Sequence, residues 1–112
     1  MRKLVVALAV ASAALLCVTA AQASVLANAP ATRICVGGTI RTGVWYQSYS
    51  GGPRWYRIAI RNPRGVVVWR KHGSATTTWR YFRYHPTRVG TYRTVYTTAG
   101  GKTSFKTRVV AC

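Results

Sequence analysis

Not one aspartate or glutamate occurs in the 112 residues, against 17 lysines and arginines, a formal charge of +17. Such a chain can form no side-chain salt bridge. Every guanidinium must find water, a carbonyl, an aromatic face or an external anion. Charge this one-sided also opposes the compact state by self-repulsion. The fold must therefore rest on apolar burial, backbone hydrogen bonds and whatever covalent closure the chain provides. The same absence removes whole classes of chemistry. Paired-carboxylate catalysis is impossible, an oxygen-ligand calcium site lacks its carboxylates, and a Ser-His-Asp triad lacks its third member.

The first 23 residues have the layout of a secretory signal. Arg2 and Lys3 precede an apolar run from Leu4 to Val18, and Ala21-Gln22-Ala23 supplies a small-residue cleavage site. The run falls short of the ~20 residues of a membrane span. Leu16, where a small residue is usual, argues against lipidation at Cys17. The expectation is a secreted, extracellular protein beginning at Ser24, with no transmembrane span after processing. The Ala-rich, Arg-over-Lys composition suggests a bacterial source of high GC content. Fifteen of the 17 cations follow residue 23. Ser24–Thr32, small and polar with one proline, reads as a flexible leader to a single domain over 33–112. Two cysteines remain, Cys35 and Cys112, in an exported context that favours oxidation. Two cysteines allow one connectivity, so one disulfide is expected to close nearly the whole domain. No C-x-x-C spacing suggests a redox pair.

From Ser24 onward the composition is that of a β protein: 13 Thr, 10 Val and 13 aromatics, with Leu26 the single leucine. No stretch carries a helical stripe, and turn signals recur at short intervals. Strands are expected over Arg33–Ile40, Gly43–Tyr49, Trp55–Arg61, Val66–Lys71, Thr76–Tyr84, Gly90–Thr98 and Thr103–Ala111. One hairpin turns at Asn62-Pro63-Arg64-Gly65, where Pro second and Gly fourth suit a type I turn. Another turns at Ala99-Gly100-Gly101-Lys102. In Trp55–Arg61, alternation places Tyr56, Ile58 and Ile60 on a core face and Trp55, Arg57 and Arg61 outside. Phe105, Thr107 and Val109 form the core side of the last strand. Arg80 and Arg83 differ in parity, which a bulge near Phe82 would reconcile.

Gly90-Thr91-Tyr92, leading into the sixth expected strand, resembles the tyrosine corner of immunoglobulin-like and fibronectin-III-like β-sandwiches. The resemblance implies an all-β, immunoglobulin-like sandwich of about seven antiparallel strands, with Tyr92 as the corner residue and Gly90 as a tight backbone approach. Arg88 and Thr94 stand where many immunoglobulin domains have Asp and the second Cys. The usual sheet-to-sheet disulfide is thus absent, and Cys35–Cys112 is a bridge of another kind. The resemblance implies a binding or structural module more often than an enzyme.

Candidate chemistry is sparse. His72 and His85 are the only histidines, each beside a turn residue. They make a poor zinc site without thiolates, and no Gly-rich phosphate loop or cofactor motif is present. A non-enzymatic protein without cofactor or metal is expected. The Arg forks match phosphate and sulfate geometry. The candidate anion-binding residues are Arg57, Arg61, Arg64, Arg70, Lys71, Arg80, Arg83 and Arg93. The partners would be anionic polymers or cell surfaces, including nucleic acid bound without sequence preference, and the outcome could be antimicrobial. A second reading is a carbohydrate-binding module, with Trp45, Tyr46, Tyr49 and Trp55 stacking on sugar rings around Gly51-Gly52-Pro53. A third is a purely structural domain whose basic residues only solvate its sheets.

Overall fold

The computed structural model describes residues 24–48 and 51–112. The expected signal peptide, residues 1–23, and Tyr49 lie outside the described residues. Eight strands follow one another with no α-helix among the described residues: β1 Val25–Asn28, β2 Arg33–Cys35, β3 Ile40–Tyr46, β4 Trp55–Arg61, β5 Val67–Ser74, β6 Arg80–Tyr84, β7 Gly90–Thr98 and β8 Gly101–Val110. They form a three-stranded sheet in the order β1-β3-β6 and a five-stranded sheet in the order β2-β8-β7-β4-β5. The chain is an all-β, immunoglobulin-like sandwich.

Alternation builds the core. Tyr56, Ile58 and Ile60 of β4 are buried while Trp55, Arg57 and Arg61 are exposed. Ile40, Thr42, Val44 and Tyr46 face them from β3, and Tyr92, Thr94 and Tyr96 join from β7. Val44, Tyr56 and Tyr96 anchor one apolar cluster, Ile40, Ile60 and Val109 a second, and Trp69 packs against both. The Tyr92 hydroxyl donates to the Arg88 carbonyl at 3.1 Å, which closes the corner before β7. Gly90 has φ +134° and lies against the Pro63 ring, so a side chain there would meet both strain and proline.

Several elements differ from expectation. Val25–Asn28 is not a flexible leader: it pairs with β3, and Val25 is buried. The expected strand Arg33–Ile40 breaks at a turn over 36–38, because Gly37 takes φ +94°, and Ile40 begins β3 instead. β2 then runs parallel to β8, so the sandwich has eight strands and one parallel pairing. Cys35 and Cys112 form the disulfide, with Cα atoms 5.6 Å apart. The bulge is not at Phe82, where β3 and β6 pair in unbroken register. It lies in β5, where Ile60 pairs with Trp69 and Arg61 with Val67, leaving Val68 as the extra residue. The last hairpin turns on Ala99 and Gly100 alone, since Thr98 already pairs with Gly101.

Candidate functional site

Register decides where the cations go. On the outer face of the five-stranded sheet, Arg57 pairs with His72 on one side and Thr97 on the other, and Thr97 pairs with Lys102. Two residues along, Arg70, Ala59, Val95 and Ser104 lie side by side. Next come Arg61, Arg93 and Lys106, three cations abreast. Beyond them Arg108 pairs with Arg33 of β2. Eight of the 15 cations after residue 23 thus share one face, and all eight are exposed.

Like charges directly opposite in a sheet destabilise it. Here Arg61, Arg93 and Lys106 repeat that arrangement across three strands, and no carboxylate side chain exists to relieve it. The face is not flat. A groove of about 350 Å³ is floored by Ala59, Val95 and Thr97 and walled by Arg57, Arg61, Arg70 and Lys102. The small floor residues leave the long side chains room to converge on a ligand from three strands. Two of the walls are steadied. The Arg61 guanidinium donates to the Gly65 carbonyl at 2.7 Å, and Arg57 lies 5.6 Å from the Trp55 ring centroid. Asn62 fixes the adjoining turn by accepting from the Arg64 and Val66 amides at 2.9 and 3.0 Å.

The structure thus brings together Arg57, Arg61, Arg70 and Arg93 of the sequence candidates. Arg64 stands at the hairpin turn at the edge of this face. Lys71 pairs with Ile58, so register alternates it with Arg70, yet it is exposed and also lines the groove. Arg80 and Arg83 belong to β6 in the other sheet. Arg80 has the parity of Phe82 and Tyr84, and Arg83 points outward opposite Arg41. Lys102, Lys106 and Arg108 join the site once β8 is known to lie beside β7. Arg33 joins only through the parallel pairing of β2, for which the local sequence carries no signal.

Among the described residues, Trp45, Tyr46 and Trp55 do not assemble into the expected sugar platform. Tyr46 is buried, and its hydroxyl donates to the Gly52 carbonyl at 3.2 Å. Trp45 lies on the outer face of the three-stranded sheet and Trp55 on that of the five-stranded sheet, with the core between them. Trp45 instead meets Trp79 at a centroid separation of 5.9 Å, and Trp79 in turn meets Tyr81 at 6.1 Å.

Burial raises the pKa of three tyrosines. Desolvation dominates at Tyr56, partly offset by the positive charge of Arg80. It also dominates at Tyr84, where Tyr92 adds to it, and it acts most strongly at Tyr96. The Tyr96 hydroxyl donates to the Asn28 carbonyl at 3.1 Å, tying β7 to the end of β1.

No family model matches the chain, and no curated protein matches it. Among solved structures it is similar to the CARDB domain of a Pyrococcus furiosus protein, determined in complex with di-metal ions. The TM-score is 0.53 and the identity 16%, over 81% of this chain and 94% of that one. A Listeria innocua beta-glucosidase, solved with isofagomine, gives a TM-score of 0.48 at 8% identity, over 81% of this chain and 17% of its own. The likeness to the CARDB domain concerns the sandwich fold. The present chain has no carboxylate side chain, and His72 lies on β5 while His85 follows β6. Among the described residues, no three His, Cys, Asp or Glu side chains gather where they could hold a metal ion. None of their helices is long and apolar enough to cross a membrane.

Proposed function

We propose that this chain is a secreted, non-enzymatic binding module that adsorbs to anionic polymers or anionic cell surfaces through the outer face of its five-stranded sheet. The row Arg61, Arg93 and Lys106 carries the proposal. Three cations abreast cost the free protein stability, and a polyanion laid along the row converts that cost into attraction. The guanidinium forks around the groove suit phosphate and sulfate oxygens, and contacts of this kind are read without sequence preference. Adsorption to a microbial envelope is the route by which such a protein could act against cells.

The test is the salt dependence of binding. A labelled DNA duplex serves as the polyanion, followed by anisotropy at several salt concentrations. Each phosphate neutralised contributes about 0.9 to the slope of log affinity against log salt. The variant R61Q/R93Q/K106Q should flatten that slope by about 2.7. Removing three charges elsewhere, in R41Q/R83Q/R88Q, should leave it nearly unchanged. Equal slopes for the two variants would mean that net charge alone drives adsorption and that the face has no special role. Heparin and vesicles containing phosphatidylglycerol then rank the natural classes of partner.

A further inference from the structure

The outer face of the three-stranded sheet carries a second surface with different chemistry. Trp45, Trp79 and Tyr81 form a row in which successive rings lie within 20° and 16° of parallel. Trp79 is 37% exposed and Tyr81 44%, and Leu26 extends the apolar area as the cross-strand partner of Trp45. Isolated exposed apolar residues are ordinary, but a contiguous patch marks an interaction site.

The row is held in place. The Trp45 indole donates to the Thr77 carbonyl at 2.8 Å, which pins the loop carrying Trp79. Within that loop the Thr76 hydroxyl accepts from the Thr78 amide at 3.3 Å. Tyr81 lies across Gly43, where an added Cβ would come within 2.9 Å of its ring. At the far end the Arg41 guanidinium sits 4.1 Å from the Tyr81 centroid, and Arg83 is the cross-strand partner of Arg41.

We infer that this face binds an acidic polysaccharide, its pyranose rings stacking on Trp79 and Trp45 and its carboxylates meeting Arg41 and Arg83. The balance of ring to charge selects the ligand. Three aromatic rings accompany two outward cations, which fits a polymer whose surface is mostly sugar C–H with sparse carboxylates. A nucleic acid carries a phosphate at every base and is better served by the eight-cation face on the other side. Arg41 lies over Tyr81, which puts the positive charge at the end of the row. This site shares no residue with the basic face, so either can exist without the other.

The test uses the full chain and a partly methyl-esterified oligogalacturonate, in which carboxylates are sparse, titrated by calorimetry and tryptophan fluorescence, with the fully esterified form as the uncharged counterpart. Saturable binding is expected to weaken about tenfold in Trp79→Ala. In Arg41→Gln, at an exposed position, it should weaken about twofold to fivefold. The fully esterified form should bind less well than the partly esterified one, and R61Q/R93Q/K106Q should bind the partly esterified form like the unmodified protein. Absence of saturable binding overturns the inference. Loss in R61Q/R93Q/K106Q with retention in Trp79→Ala also overturns it, and leaves the basic face as the sole binding surface. Tighter binding of oligothymidylate, equally sensitive to Trp79→Ala, would assign the row to nucleic acid. A sedimenting dimer abolished by Trp79→Ala, without sugar binding, would assign it to a second copy of the chain.

Discussion

Replacing both Cys35 and Cys112 by serine tests what holds a domain of this charge together. The bridge spans 77 positions. In the chain-entropy account, a closed loop of that size restricts the unfolded chain by about 4.5 kcal/mol at 25 °C. Small domains are stable by only about 5–15 kcal/mol in total. The loss also has a local side. β2 is three residues long and buries little beyond Ile34, which is half-buried. Its hold on β8 rests on a few bonds, among them Val36 N–H to the Val110 carbonyl at 2.7 Å and Arg108 N–H to the Thr32 carbonyl at 2.8 Å. Urea unfolding, followed by tryptophan fluorescence, should show the midpoint falling by about 1.5 M or more, at a slope of about 1–3 kcal/mol per molar. Hydrogen exchange should show the Val36 amide losing protection before the β4 amides. A destabilisation below about 1 kcal/mol, or a Val36 amide as protected as before, would refute the reasoning. The compact state would then withstand its own repulsion without covalent help.

Thr94 is buried between its cross-strand partners Ile60 and Phe105, and its hydroxyl has no hydrogen-bond partner. Thr94→Val keeps the shape and removes the stranded polar atom. It should add about 1 kcal/mol of stability and raise Tm by about 4–8 °C, measurable by thermal melting. Tyr96 gives a pH dependence of definite sign. Its folded pKa is raised above the ordinary tyrosine value of about 10. Its contribution to stability is therefore fully present below that pH, and is lost as pH rises above it, because the unfolded chain ionises first. Stability measured between neutral pH and pH 11 should decline only above about pH 10, and Tyr96→Phe should reduce the decline.

Much of this fold is legible where a strand speaks for itself. The alternation in Trp55–Arg61 places Tyr56, Ile58 and Ile60 inside, and the pairing of Cys35 with Cys112 follows from their being the two cysteines after residue 23. Legibility ends where the answer depends on a neighbour. In Val66–Lys71 alternation leaves the buried side open, because the Val68 bulge changes parity between the turn and Trp69. That change allows Trp69 to pack inward while Arg70 stands beside Ala59 on the outer face. Lys102 reads as a tip residue until the turn is known to end at Gly101, which makes it the outward partner of Thr97. The aromatic row escapes detection because Trp79 precedes its strand and finds Trp45 from 34 positions away. Local pattern reports which side of a strand is wet. Strand order decides which wet residues become neighbours, and that order is set by contacts distant in sequence.

A surface of one sign has no side-chain carboxylate of its own chain to compete with an anion. On a mixed surface, nearby carboxylates occupy part of each guanidinium, and a ligand must displace them. Around Arg61, Arg93 and Lys106 the competing anions are small ions of the medium, since the chain supplies no acidic side chain. Rising salt screens the repulsion among these side chains and firms the free protein, while the same screening loosens its hold on a polymer. The two responses run in opposite directions, so occupancy is governed from outside. On the proposed function, dilute surroundings would load the protein onto an anionic target and brine would return it to solution in a sturdier form, with no titrating side chain or moving part required for the exchange.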